Sequence, residues 1–218
     1  MKVNYLGKHN SLLGCFIAEL RDVELQKDSM RFRHNLERIS EIFAYEISKQ
    51  MDYEPAQVQT PLGVAATSKL KEQVVIASIL RAALPMHNGM LRCFDRAQNA
   101  FISAYRKYSK DNKFTISFEY LSSPSTEGKT IILCDPMLAT GGSMVLSYRA
   151  LIERGMPEKT HIVSVIASKD GIEYLKQNLA SYPEVTLWVG EVDDELTLKS
   201  YIVPGLGDAG DLAYGDKM

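Results

Sequence analysis

Ile131-Ile132-Leu133-Cys134-Asp135-Pro136-Met137-Leu138-Ala139-Thr140-Gly141-Gly142-Ser143 is the stretch that decides how this chain folds. Ile131 to Cys134 form a short continuous apolar run, the character of a strand buried on both faces of a parallel sheet. The run ends in a carboxylate, Asp135. After a short link, Thr140-Gly141-Gly142-Ser143 opens a segment whose continuation, Met144 to Ile152, has a helical pattern. Gly141 and Gly142 permit a tight turn and let a ligand approach the backbone with no Cβ in the way. Thr140 and Ser143 add hydroxyl donors. Exposed N–H groups at a helix start favour an anion, and each hydrogen bond to a charged phosphate oxygen is worth about 1.5–3 kcal/mol. The order strand, carboxylate, glycine turn, helix predicts a site for a phosphate and a metal ion together. The alternative for the same residues is an ordinary strand–turn–helix connection with Asp135 and Thr140 as caps.

Two common phosphate loops are excluded. No Gly-Lys-Ser/Thr stands at the spacing of a P-loop, and no Gly-x-Gly-x-x-Gly follows a strand as in a dinucleotide fold.

Outward from this loop the chain alternates. Val74-Val75-Ile76-Ala77 reads as a strand, followed by a helix near 84–97 and a strand at 99–104. Beyond the strand at 131–134 come a helix at 143–154, a strand at 162–167, a helix at 170–180 and a strand at 185–190. That rhythm predicts an α/β fold, a parallel doubly wound sheet flanked by helices, with ligands at the carboxyl ends of its strands. Before it, residues 29–50 form a helix in which Ser29 is the cap and Phe32, Leu36, Ile39, Phe43 and Ile47 recur on one face. One segment breaks the rhythm: Phe114, Ile116, Phe118 and Tyr120 alternate with Thr115, Ser117 and Glu119, the pattern of a half-exposed antiparallel strand. With the polar run Arg106 to Lys113 before it, residues 105–124 are expected to form a projecting β-hairpin arm, mobile or used in dimer contact.

The 218 residues carry 45% hydrophobic and 24% charged side chains with a net charge of -2. This is globular composition, expected to form one domain over 1–218. The charge argues against bulk-electrostatic nucleic-acid binding. Cys15, Cys93 and Cys134 are widely spaced and odd in number, which fits a reducing cytoplasm. No apolar run is long enough to span a bilayer, and the scattered His9, His34, His87 and His161 suggest no metal centre.

Joined to two further segments, the loop at 135–143 resembles that of the uracil phosphoribosyltransferase family, of the type I phosphoribosyltransferase fold. Ser78-Ile79-Leu80-Arg81-Ala82-Ala83 and Ala104-Tyr105-Arg106 are similar to the family's diphosphate-contacting arginine sites, and Arg31-Phe32-Arg33 and Tyr45-Glu46 also fall where it has similar residues. The tail, Tyr201-Ile202-Val203-Pro204-Gly205-Leu206-Gly207-Asp208-Ala209-Gly210-Asp211, resembles the family's uracil-binding hood, a segment of about 191–218 completed by N-terminal residues.

The resemblance implies transfer of a phosphoribosyl group from 5-phosphoribosyl 1-diphosphate to uracil, giving UMP and diphosphate in pyrimidine salvage. It implies that Arg81 and Arg106 hold the diphosphate. Asp135, Pro136, Met137, Leu138, Ala139, Thr140, Gly141, Gly142 and Ser143 hold the ribose and 5-phosphate. Ile202, Gly207, Asp208 and Ala209 take the uracil, and Asp208 also lies near the phosphoribosyl substrate. Asp135, Arg106 and Asp208 are the candidate catalytic residues. Mg²⁺ is the implied cofactor, held mainly through substrate and water with no direct protein ligand, and a homodimer or higher homo-oligomer is the implied assembly. A Gly- and Pro-rich tail presents its backbone amides and carbonyls edge-on to a planar base, and such a site rejects a mismatched analogue by about 10⁴–10⁵.

Structural alternatives stand beside these roles: a salt bridge for Arg81, a solvated surface position for Arg106. The sequence also departs from the family at Ala83 and Pro85, where Gly is usual, so the diphosphate loop is expected to differ in geometry. The rival reading built on that departure is a weak or inactive paralogue that senses nucleotides or binds RNA.

Overall fold

The computed structural model describes residues 1–108, 114–182 and 184–217, with backbone alone for 104–108 and 114–119. In chain order the elements are β1 (Lys2–Tyr5), α1 (Leu12–Arg21), α2 (Ser29–Ser48), β2 (Tyr53–Thr60), β3 (Gly63–Leu70) and β4 (Val74–Leu80). Then follow α3 (Leu84–Cys93), β5 (Gln98–Tyr108), β6 (Phe114–Ser122), β7 (Thr130–Cys134), β8 (Met137–Leu138) and α4 (Gly142–Ile152). The chain closes with β9 (Lys159–Ser168), α5 (Lys169–Asn178), β10 (Val185–Asp193), β11 (Glu195–Leu196), β12 (Ile202–Val203) and α6 (Ala209–Tyr214).

The main sheet runs β1-β10-β9-β7-β4-β5-β6, with β8 added alongside β9. Its pairings are parallel except the last, where β6 returns antiparallel to β5. The strands at its centre are β-branched and apolar because both faces are covered. Every residue of β7 is buried. On one face Leu13 and Ile17 of α1, the stripe Phe32, Leu36, Ile39, Phe43 and Ile47 of α2, and Met86 of α3 pack on Ile76, Ile132, Val163 and Trp188. On the other, Val145 and Tyr148 of α4 and Ile172 and Leu175 of α5 pack on Ile131, Leu133, Ile162 and Leu187. Successive strand residues therefore serve opposite cores, the period-two rule of a strand. Burying one such side chain stabilises by about 1.5–3 kcal/mol.

The expected strand–helix alternation is present, with two local differences. Asp28 caps α2 in place of Ser29: its carboxylate accepts from the Met30 and Arg31 N–H groups at 3.0 and 3.1 Å, while Ser29 is already helical. α3 stops at Cys93, because Phe94 leaves helical geometry (φ -109°, ψ 65°) and turns its ring into the core. The β5–β6 hairpin is in register from Phe101↔Ser122 to Tyr108↔Phe114 with a bulge between Ser103 and Ala104. The expected arm at 105–124 falls on it, and its tip, 109–113, lies outside the described residues.

A second hairpin had no counterpart in the sequence-based expectations. β2 and β3 pair antiparallel from Tyr53↔Leu70 to Thr60↔Gly63, nearly all of it exposed. The Thr60 hydroxyl closes its turn, accepting from the Gly63 N–H at 3.1 Å. All three cysteines are free.

Candidate functional site

The carboxyl ends of β4 and β7 open into a cleft of about 640 Å³, where a parallel sheet places its ligands. Asp135 and residues 137–141 line it with Ser143, directly after β7. The loop is held from behind. The Pro136 carbonyl accepts from the Val165 and Ile166 N–H groups at 3.1 and 3.0 Å, so Pro136 faces β9 and not the cleft. The Asp135 carboxylate accepts from the Met137 N–H at 3.2 Å. The Ser168 hydroxyl donates to the Ala139 carbonyl at 2.5 Å and accepts from the Gly171 N–H at 2.8 Å, which ties the loop to the start of α5. Gly171 is required by that approach, since a Cβ there would lie 2.4 Å from the Ala139 oxygen.

Gly141 precedes α4 in the left-handed region (φ 81°), with the Leu175 side chain 2.8 Å from where its Cβ would be. The residue before α4 is Gly141, which has no side chain to cap the helix, so the first N–H groups, beside Thr140 and Ser143, suit an anion. Gly142 supplies backbone at the helix start and does not itself line the cleft. Burial and the neighbouring Asp135 push the Cys134 thiol up, which removes it as a nucleophile.

Arg81 lines the cleft from the loop after β4, reached through a cis Leu80–Arg81 peptide. Its guanidinium donates to Asp211 Oδ1 at 2.8 Å and to the Gly215 carbonyl at 3.2 Å. The salt bridge weighed as the alternative to a ligand contact therefore exists, inside the cleft wall. Neither Ala83 nor Pro85 holds a conformation that its residue type resists. Ala83 has ordinary right-handed geometry (φ -81°, ψ -3°) and is fully buried, and Pro85 occupies the first turn of α3, where its missing N–H is no loss.

The tail approaches from the opposite side. Ile202 and Ala209 point their side chains into the core, at 4% and 3% exposure, while their residues line the cleft with Gly207 and Asp208. Gly205 (φ 55°) and Gly207 (φ 95°) make the turn between them. Asp208 caps α6, its carboxylate accepting from the Gly210 and Asp211 N–H groups at 2.9 and 3.0 Å, and Lys217 Nζ stands 3.5 Å away.

One cleft thus gathers Arg81, Asp135, Met137 to Gly141, Ser143, Ile202 and Gly207 to Ala209. The side chain of Arg106 lies outside the described residues. Sequence reasoning missed Ser103, and it placed Lys199, Ser200, Tyr201, Gly210 and Lys217 only within the hood segment, without a role of their own, although all six share the lining. Ser103 was findable, since it stands near the carboxyl end of an expected strand next to the one bearing Arg81. Lys217 had no local signal. Among the described residues no three His, Cys, Asp or Glu side chains converge as a metal cage. The cleft offers two separate carboxylates, Asp135 and Asp208, a donor set that suits a hydrated Mg²⁺ carried largely by a phosphorylated ligand.

The sequence profile of the family described as Uracil phosphoribosyltransferase matches residues 8–216. A uracil phosphoribosyltransferase from Porphyromonas gingivalis is 50% identical over 218 residues, covering 100% of both chains. One from Pyrococcus furiosus is 39% identical over 203 residues, 92% of this chain and 84% of that protein. Among solved structures, the AQ2163 protein from Aquifex aeolicus superposes with a TM-score of 0.85 at 29% identity, covering 98% of each chain.

Proposed function

We propose, from the premise that this chain belongs to the uracil phosphoribosyltransferase family, that the cleft between β4, β7 and the C-terminal tail is its active site. The enzyme is a pentosyltransferase that joins uracil to the ribosyl carbon of 5-phosphoribosyl 1-diphosphate, releasing diphosphate and forming UMP. The observation that carries the site is the convergence of the glycine turn, Arg81 and the tail on one cavity.

The roles follow from charge and geometry. The 5-phosphate belongs at the uncapped start of α4, among the N–H groups and hydroxyls of Thr140 to Ser143. Asp135, at the end of β7, orients the ribose hydroxyls and faces the positive charge of an oxocarbenium-like transition state. As the C1′–oxygen bond breaks, negative charge grows on the leaving diphosphate, and Arg81 with Arg106 answers it. Uracil N1 gives up its proton to the departing diphosphate as the N1–C1′ bond forms, while backbone groups of Ile202 and of Gly207 to Ala209 hold the base. Asp208 stiffens that segment as the cap of α6 and adds a second carboxylate near the sugar. Mg²⁺, where bound, shields the diphosphate charge, and Asp135 and Asp208 would hold it through water.

Residues 1–218 act as one domain with cytoplasmic small-molecule chemistry and no nucleic-acid partner. Among the described residues no helix is long and apolar enough to cross a membrane. An isolated two-stranded hairpin is marginal in water. β2–β3, with Leu62, Val64 and Tyr53 exposed, is therefore assigned to contact with a second copy. Calorimetric titration of 5-phosphoribosyl 1-diphosphate with Mg²⁺ tests the assignments. Ser143→Ala, Arg81→Ala and Arg106→Ala should each weaken binding about tenfold or more. Unchanged affinity in all three would remove the cleft from consideration.

A further inference from the structure

The turn that carries the base-binding backbone is gripped by two residues far from it in sequence. Arg21, the last residue of α1, makes a two-pronged bond to Asp193, the last residue of β10, with Nη1–Oδ2 and Nη2–Oδ1 both 2.8 Å. The same pair engages both backbone groups of Gly205: Arg21 Nη1 donates to its carbonyl at 3.0 Å, and Asp193 Oδ2 accepts from its N–H at 2.8 Å. Gly205 stands between Ile202 and Gly207, three residues after the one and two before the other. It is fixed in a positive-φ geometry, and any Cβ there would lie 2.2 Å from the Ile202 carbonyl oxygen. The Asp193 side chain is 7% exposed and that of Arg21 23%, so the pair is shielded from water and salt. Burial alone would raise the Asp193 carboxyl, but Arg21 and the Gly205 N–H outweigh it and hold the group below the usual carboxylate range.

We infer that Arg21 and Asp193 are positioning residues for substrate selection: through Gly205 they set where the amides and carbonyls of Ile202 and of Gly207 to Ala209 meet the base. The inference rests on the assignment of uracil to that segment. A planar base is read by hydrogen-bond groups whose placement matters within a few tenths of an ångström, and neither residue touches the phosphoribosyl half of the cleft. Loosening the grip should therefore act on uracil and spare the other substrate.

Steady-state kinetics with each substrate varied in turn separates this from a purely structural salt bridge. Asp193→Asn, and the milder Arg21→Lys for the case in which Asp193 variants fold poorly, should raise KM for uracil about tenfold. KM for 5-phosphoribosyl 1-diphosphate and kcat at saturating uracil should stay near wild type. The exchange Arg21→Asp with Asp193→Arg restores a salt bridge but leaves the Gly205 N–H with no acceptor, so KM for uracil should stay high. Gly207→Ala, at φ 95°, disturbs the base segment directly and is the reference. If Gly207→Ala raises KM for uracil and the clamp variants do not, the clamp inference falls and the base site stands. Equal rises in both KM values, or recovery in the exchange variant, also overturn it. If Gly207→Ala leaves uracil binding unchanged as well, the base-site assignment itself fails.

Discussion

His161 shows how one buried side chain ties stability to pH. It lies on β9 at 4% exposure, and its Nδ1 accepts from the Trp188 indole N–H at 3.1 Å, so the ring carries its proton on Nε2, which has no partner among the described residues. Burial, helped by Lys159 and opposed by Glu72, lowers its pKa to about 4. Because this lies below the value of an unfolded histidine, its contribution is fully present above about pH 6.5 and is lost as pH falls toward 4. At most about 3 kcal/mol is at stake. Thermal melts from pH 7 to 4 should show Tm falling through this window, and His161→Gln, which keeps an acceptor for Trp188, should flatten the fall. Equal slopes in the two proteins would rule out His161 as the cause. The residue scale also explains Ala83 and Pro85. The family's usual glycines there suggested a special backbone, yet both positions are ordinary helix-start geometry that Ala and Pro adopt without strain. The motive for an inactive paralogue goes with them.

At the scale of elements, the sheet was legible because burial on two faces writes itself as unbroken apolar runs such as Ile131 to Cys134 and Val74 to Ala77. The stripe of α2 was legible for the same reason at helical period, and the glycine turn through its φ requirement. β1 is only four residues long, and α1 is nearly all apolar, so neither shows a clean period. β2–β3 is exposed on both faces, so no hydrophobic alternation marks it, and only Thr60-Pro61-Leu62-Gly63 hinted at a turn. The phosphate loop was legible because it follows its strand and the tail through its family resemblance, but the contacts that hold the tail were not: nothing local ties Gly205 to Arg21, or Arg81 to Asp211. The grip of α5 on the phosphate loop is of the same kind. Ser168 is fully buried and spends both hydrogen bonds on Ala139 and Gly171. Ser168→Ala should cost about 1–2 kcal/mol in denaturant unfolding and raise KM for 5-phosphoribosyl 1-diphosphate more than KM for uracil. An unaltered ratio of the two KM values would mean that the contact serves the fold only.

For the whole molecule, helices on both faces leave one rim of the sheet open, and the C-terminal tail crosses that rim to complete the cleft. The exposed β2–β3 hairpin is the proposed contact with a second copy. Replacing residues 54–69 with a short Gly-Ser turn should shift the mass found by light scattering from an oligomer to a monomer, and unchanged mass would free the hairpin from that role. The central claim is that Asp135, at the end of β7 beside the glycine turn, faces the sugar where charge develops. It is tested most directly by the rate of UMP formation from radiolabelled uracil and 5-phosphoribosyl 1-diphosphate with Mg²⁺, in the wild type and in Asp135→Asn. The wild type should make UMP, and the variant should be slower by about 10²–10³ with an unchanged Tm. A wild type that makes no UMP, or a variant that matches it, would contradict the account.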